Sequence, residues 1–379
     1  MTEYDLIIVG AGAAGMMCGA VAGRNGARKI LLIDQAVSPA EKIRISGGGK
    51  CNFTNIYSRP ENFISDNRHF CKSALAGYTP QDFIALVESH GIRWHEKNPK
   101  QKTGQLFCDE SANQIIGMLR TECKKSGNEF RTGTSILDIA KKDDGFWVTT
   151  EKASFKTRAV VMACGGPSIP KIGGTRYGYK IAEQFGLRVV EPRPALVPLT
   201  FTDGLKQALQ SLSGVSVAAR VSIKRKNKDV ASFTDALLFT HRGLSGPSIL
   251  QISSYWQAGE ALHIDLAPGQ DVGAALSRAR TQSPKQSPAV FLGQYLPKPL
   301  AQYKTASLGT KRLADLNAGE ITALVDGVHH WQIKPAGSEG YRKAEVSCGG
   351  VDTRDLSSKT LEARTVPGLY FIGEVVDVT

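Results

Sequence analysis

The chain has 379 residues, room for two domains. Its 41% hydrophobic and 22% charged residues are those of a folded globular protein and exclude a disordered or fibrous chain. A formal charge of +12 would draw nucleic acid, a membrane surface or anionic small molecules, yet no apolar run approaches the roughly 18–20 residues of a membrane span.

The opening residues MTEYDLIIVG carry no basic stretch and no small-residue cleavage site, so no signal peptide is read and a cytoplasmic location is expected. Leu6-Ile7-Ile8-Val9 has the continuous apolar character of a parallel strand buried on both faces. A glycine-rich turn follows, then a small-residue helix from Met16 to Arg24, a break at Gly26 and a second strand over Ile30 to Ile33. A polar loop runs from Lys42 to Asn55. Thr79-Pro80 provides an N-cap and first position for a helix reaching about Ser89, and an amphipathic helix covers roughly Ser111 to Lys125. Short alternating strands are expected at 135–141, 146–151 and 154–157, the first two joined by the turn Asp143-Asp144-Gly145. They lead to the apolar run Ala159 to Ala163. A three-stranded excursion that returns to a parallel sheet suits a Rossmann domain of the FAD type.

Pro192, Pro194 and Pro198 mark a boundary. Residues 195–265 then read as several strands and 270–330 as polar helices, and strand and glycine character returns from about Ala344. The expected organisation is a first cofactor-domain segment at 1–191, an inserted domain at 192–343 and a second cofactor-domain segment at 344–379. Lys224-Arg225-Lys226-Asn227-Lys228 has no interleaved aromatic and reads as a charged hairpin turn. With the other basic residues dispersed, nucleic acid is not an expected partner, and neither is a membrane. Nothing in the residues sets an oligomeric state.

Gly10-Ala11-Gly12-Ala13-Ala14-Gly15 is a dinucleotide fingerprint placed between a buried strand and a helix. Gly10 permits the tight turn, Gly12 leaves room for a pyrophosphate, and Gly15 lets helix and strand pack closely, while the helix N-terminus offers free N–H groups. Asp34 closes the second strand 19 residues after Gly15, where a carboxylate accepts hydrogen bonds from ribose hydroxyls. In the loop that follows, Lys42, Ser46, Gly47, Gly48, Gly49, Lys50, Cys51 and Asn52 are read as cofactor contacts, because three glycines let backbone approach a flat ring or a phosphate. Ile136, Ala163, Cys164, Gly165 and Gly166 extend that set. Gly373, Glu374 and Asp377 follow a terminal strand, where an acid can hold the ribityl hydroxyls of a flavin. No second fingerprint is present, Gly173-Gly174 and Gly349-Gly350 lacking the spacing. An electron donor such as NADH or NADPH would therefore dock directly at the flavin or not be used.

The seven cysteines (18, 51, 71, 108, 123, 164, 348) are odd in number and form no CxxC pair, which fits a reducing compartment and argues against a zinc site, a disulfide framework or a two-cysteine redox centre at Cys51. Cys164 and Cys348 are read as small apolar residues. His329-His330 lacks further ligands at metal spacing and is read as an exposed helix end, so no metal is expected. His241 and Arg242 are weak candidates for substrate anchoring, as are Arg342 and Glu345 near the return to the first domain.

The strings KIRISGGGKCNFTN, GQLFCDE, LLFTHRGLSGP, AEVSCGGVDT and GLYFIGEVVDVT resemble the BaiN/YhiN-type family of FAD-dependent oxidoreductases, which takes in proteins described as aminoacetone oxidases. The resemblance spans essentially the whole chain. It implies an α/β, glutathione-reductase-like FAD Rossmann domain interrupted by an inserted β-barrel and helical domain, with FAD held non-covalently. It also implies that the family continues beyond Thr379 with a glycine-rich, Trp-containing helix, so the segment 344–379 is read as truncated at its C-terminus. The expected function is hydride transfer at flavin N5 on an unidentified small organic substrate. The alternatives are a flavin-dependent nucleic-acid-modifying enzyme, prompted by the charge of +12, and a flavin-binding sensor without turnover.

Overall fold

The computed structural model describes residues 2–99 and 103–379. The chain divides into two units, Met1–Arg193 with Val346–Thr379, and Pro194–Glu345. The first unit is built on a sheet of seven strands. Its centre is β1 (Thr2–Val9), flanked by β2 (Ile30–Ile33) and the long β9 (Ser154–Met162). Both pairings are parallel, with Leu6 opposite Ile30 on one side and Ile8 opposite Val161 on the other. Ile7, Val9, Leu31 and Met162 enter one core, while Ile8, Ile30, Leu32 and Val161 enter another. This two-sided burial is why the central strands carry unbroken apolar runs.

β6 (Glu129–Arg131) extends the sheet beyond β2, and β7 (Ile136–Lys142) and β8 (Gly145–Thr150) form an antiparallel meander that leads into β9. β9 covers both the short strand expected at 154–157 and the apolar run Ala159 to Ala163 up to Met162. It is one strand: its first half pairs with β8, and its second half pairs in parallel with β19 (Leu369–Phe371), Val160 lying opposite Leu369. No glycine or proline interrupts Ser154 to Met162, so the chain has no reason to turn there. α1 (Ala13–Arg24) and the helix Asn113–Lys125 cover one face. A smaller antiparallel sheet consists of β3 (Asn52–Asn55), β4 (Trp94–Glu96) and β5 (Gln105–Cys108). β10 (Val189–Ala195) pairs with β18 (Val346–Val351).

The second unit has one sheet of seven strands: β11 (Leu199–Thr200), β12 (Ser216–Arg225), β13 (Lys228–Phe239), β14 (Gly243–Ser245), β15 (Leu262–Asp265), β16 (Trp331–Ile333) and β17 (Gly337–Ser338). Its order is β16-β15-β12-β13-β14-β11-β17, a path with two ends, in which every pairing is antiparallel. Four helices over 272–329 share the core of this sheet: Leu276, Leu292, Leu300 and Val328 belong to the same cluster as Val221, Leu237 and Leu262. His329 corrects the expectation of an exposed helix end. Its ring is largely buried, and Nδ1 lies 2.8 Å from a carboxylate oxygen of Asp265.

Candidate nucleotide-cofactor site

A cavity of about 420 Å³ lies within the first unit at the carboxyl ends of β1, β2 and β9. At its floor the chain leaves β1 at Val9 and enters α1 through the fingerprint. Each glycine there has a separate reason. Gly10 takes φ +104, and a Cβ on it would lie 2.5 Å from the carbonyl oxygen of Ala163. On Gly15 a Cβ would lie 1.9 Å from the carbonyl oxygen of Gly10. Gly12, the N-cap of α1, has an ordinary φ of −79, and a Cβ there would meet nothing within 4 Å. The protein itself does not require glycine at that position, but a ligand group against the open end of α1 would.

Asp34 anchors the turn from the next strand. One carboxylate oxygen accepts the N–H of Ala11 at 2.7 Å and the other accepts that of Ala36 at 2.8 Å. Both oxygens keep a free lone pair, and the residue lines the cavity. Opposite, the Lys42 ammonium donates to Glu374 Oε2 at 2.6 Å and to the Ser168 hydroxyl at 2.5 Å. Glu374 Oε1 accepts from Ser168 and from the backbone N–H of Ser347, each at 3.0 Å. Gly166 lies beside this cluster, a Cβ there falling 2.9 Å from Ser347 Oγ and 3.0 Å from Glu374 Oε1. Cys164 also lines the cavity, and burial pushes its thiol up to about 12, so it stays protonated and behaves as a small apolar wall.

Of the positions read from sequence, the cavity brings together Gly10, Gly12, Ala13, Ala14, Asp34, Lys42, Ile136, Ala163, Cys164, Gly165, Gly166, Gly373 and Glu374, with Gly15 packed behind them. Its lining does not include Ser46, Gly47, Gly48, Gly49, Lys50, Cys51 or Asn52. A Cβ on Gly47 would strike the Phe107 ring at 2.5 Å, the Gly49 carbonyl accepts the Ala112 N–H, and Lys50 donates to the carbonyls of Asp109 and Glu110. Gly48 and Gly49 hold φ of +64 and +86 with nothing within 4 Å of a Cβ. Asp377 is also outside the lining. It is buried, and that burial, with Asp66 and Asp352 nearby, pushes its carboxyl up to about 6. His241, Arg242, Arg342 and Glu345 lie in the second unit, where Arg242 approaches Glu339 at 3.6 Å and the Glu345 N–H donates to the Leu196 carbonyl. Sequence reasoning missed Gln35, Ala36, Thr134, Thr175 and Tyr177, and it dismissed Gly173-Gly174, which line this same cavity. Only the glycine pair carried a visible signal. A Cβ on Gly174 would fall 2.2 Å from the Ser168 carbonyl oxygen.

A parallel sheet with a glycine fingerprint at the switch from strand to helix, an acid closing the second strand and a meander entering the third is the architecture of a Rossmann flavoprotein oxidoreductase. The chain belongs to such a family: residues 4–379 match the model described as the HI0933-like protein Rossmann domain. It is 49% identical over 381 residues to the ribosomal RNA dihydrouridine synthase of Escherichia coli K12, covering all of this chain and 93% of that one. A protein of the same name from Haemophilus influenzae is 44% identical, over all of this chain and 94% of that one. The 3-dehydro-bile acid delta(4,6)-reductase of Clostridium scindens is 24% identical, over 98% of this chain and 92% of that one. The first two names overturn the expectation that nucleic acid is no partner. That expectation rested on basic residues being dispersed along the sequence, and dispersal in sequence says nothing about which of them share a surface in the fold. No helix among the described residues is long and apolar enough to cross a membrane.

Proposed function

We propose that this chain is an FAD-dependent reductase that converts uridine in ribosomal RNA to dihydrouridine. The observation that carries the reading is near-half identity, over the full chain, to a protein named for that reaction, joined to a cavity lined by the glycine fingerprint and Asp34. The residues fit the cofactor: Gly12 leaves the space a pyrophosphate takes at the N-terminus of α1, and Asp34 offers two lone pairs to ribose hydroxyls. Lys42 and Glu374 form the polar wall that would meet the ribityl chain, and the loop from Ser46 to Asn52 follows directly on that wall. Its open glycines Gly48 and Gly49 would face the ring. Bound there, FAD supplies hydride transfer.

The distant relative narrows the chemistry. Its name describes reduction of carbon–carbon double bonds in a 3-oxo steroid, and uracil C5=C6 is likewise activated by a carbonyl. In this chain a hydride and a proton would add across the activated uracil bond, and NADH or NADPH is the class of reductant proposed to supply the hydride. A small-molecule enone is the second reading, supported by that relative alone. The test is to incubate purified protein, FAD and NADH or NADPH with ribosomal RNA from cells lacking the gene, then to digest the RNA and count dihydrouridine by mass spectrometry. Gain of two mass units on one uridine is expected. RNA left unreduced under both donors, while a small enone is reduced, would replace the first reading by the second.

A further inference from the structure

The second unit carries a two-stranded ribbon, β12 and β13, whose registered pairs run from Ser216 opposite Leu238 to Arg225 opposite Lys228. The connection is a two-residue turn, Lys226 and Asn227, at φ +51 and +58, the tight hairpin geometry that matches strand twist. Arg225 ties the ribbon end down: its guanidinium donates to both Glu260 oxygens, at 2.5 and 3.0 Å, and to the Tyr255 carbonyl at 2.9 Å. Around this anchored arginine, Lys224, Lys226 and Lys228 are exposed, and none has a carboxylate within 4.0 Å among the described residues. Asp229, opposite Lys224 in register, is the one acid among residues 224–230. Further along the same strands Arg220 is exposed, 3.8 Å from Asp265 and opposite the exposed Thr234, and Ser232 is exposed two residues away.

A held ribbon with three unpaired ammonium groups at its tip and a guanidinium and hydroxyls behind them is what a phosphodiester backbone binds. Such contacts set affinity and register without reading bases. A lipid surface is a poorer fit, because Val230 is the one large apolar residue exposed on the ribbon, and no aromatic is exposed there to enter a bilayer. Resting on the reading of the chain as an RNA reductase, we infer that the β12–β13 ribbon is the arm by which it holds the sugar–phosphate backbone of its ribosomal RNA substrate.

The experiment uses the full-length flavoprotein and a labelled ribosomal RNA fragment, with dissociation constants measured across a salt series. Replacing Lys224, Lys226 and Lys228 together by alanine should lower the slope of log affinity against log salt by about 2 to 3, since each lost phosphate contact removes roughly 0.7–0.9. Far-UV circular dichroism and flavin content should not change, because all three side chains are exposed. An unchanged slope overturns the arm. So does wild-type protein that binds vesicles rich in phosphatidylserine through these lysines and binds RNA without them. The two readings fail separately: wild-type protein that makes no dihydrouridine defeats the activity, whereas active protein whose RNA binding ignores the three lysines defeats the arm alone.

Discussion

Two glycine-rich turns lie a few dozen residues apart in the first unit, and they use glycine differently. In the fingerprint, Gly10 and Gly15 are forced by the protein's own backbone, while Gly12 has ordinary dihedrals and empty space in front of it. In the second turn, Gly47 is forced by the Phe107 ring, and Gly48 and Gly49 also face empty space but hold positive φ. Left-handed backbone alone explains glycine at 48 and 49, whereas nothing within the chain explains Gly12. A glycine that its own protein does not need is the sharper pointer to a ligand.

The largest effect should come from Gly15→Ala. A methyl 1.9 Å from the Gly10 carbonyl oxygen forces α1 away from β1, and the variant should lose more than about 3 kcal/mol, seen as a collapsed melting temperature and no bound flavin. A variant that melts like wild type would mean the close packing of strand and helix is wrong. Next is Asp34→Ala. It removes the acceptor of two backbone N–H groups as well as the ribose contact, each charge-assisted bond being worth roughly 1.5–3 kcal/mol. FAD affinity should fall by about 100-fold or more, with a lower melting temperature even without flavin; titration of FAD fluorescence checks the first and thermal denaturation of the apoprotein the second. An unchanged affinity would remove Asp34 from the site.

Gly12→Val and Gly48→Asn then separate the two turns. The Cβ of valine at 12 meets no protein atom within 4 Å, so the apoprotein should lose no more than the roughly 1 kcal/mol that a poor N-cap costs while FAD affinity drops about 10-fold or more. Asparagine tolerates positive φ, so stability at position 48 should hold within about 1 kcal/mol. Flavin retention then reports whether that turn faces the ring: loss is expected, and retention with an unshifted absorbance band would confine the site to the first turn.

The last comparison is between two acids. Asp34 is surrounded by N–H donors, Asp377 by burial and two further carboxylates. Folded, Asp377 holds its proton up to about pH 6, against 3.8 for the ordinary carboxyl, so its ionisation costs stability above pH 6 and the cost fades as pH falls toward 4. Asp377→Asn should therefore stabilise the fold at pH 8 by an amount on the order of 2 kcal/mol, seen as a raised melting temperature, and do nothing at pH 4. A gain that is equal at both pH values would show that the carboxyl ionises normally.

Much of the cradle was legible in residue order. A buried parallel strand, a glycine at each position of closest backbone approach and an acid at the next strand end are local requirements, and Gly10 to Gly15 and Asp34 meet them within one βαβ unit. The strands Ile30–Ile33 and the helix Pro80–Ser89, with its Thr79 cap, are likewise set by nearest neighbours. What the tertiary structure decided is whatever depends on partners dozens to hundreds of residues apart. The Lys42–Glu374 pair joins positions 332 apart, Gly173-Gly174 turns toward the first strand's cavity, and His329 finds Asp265 across 64 residues. The free lysines of the β12–β13 tip are distinguished from Arg225 only by where Glu260 arrives. Propensity and spacing act over a few residues, whereas ion pairing and enclosure act through space, and only the folded chain brings those partners within reach.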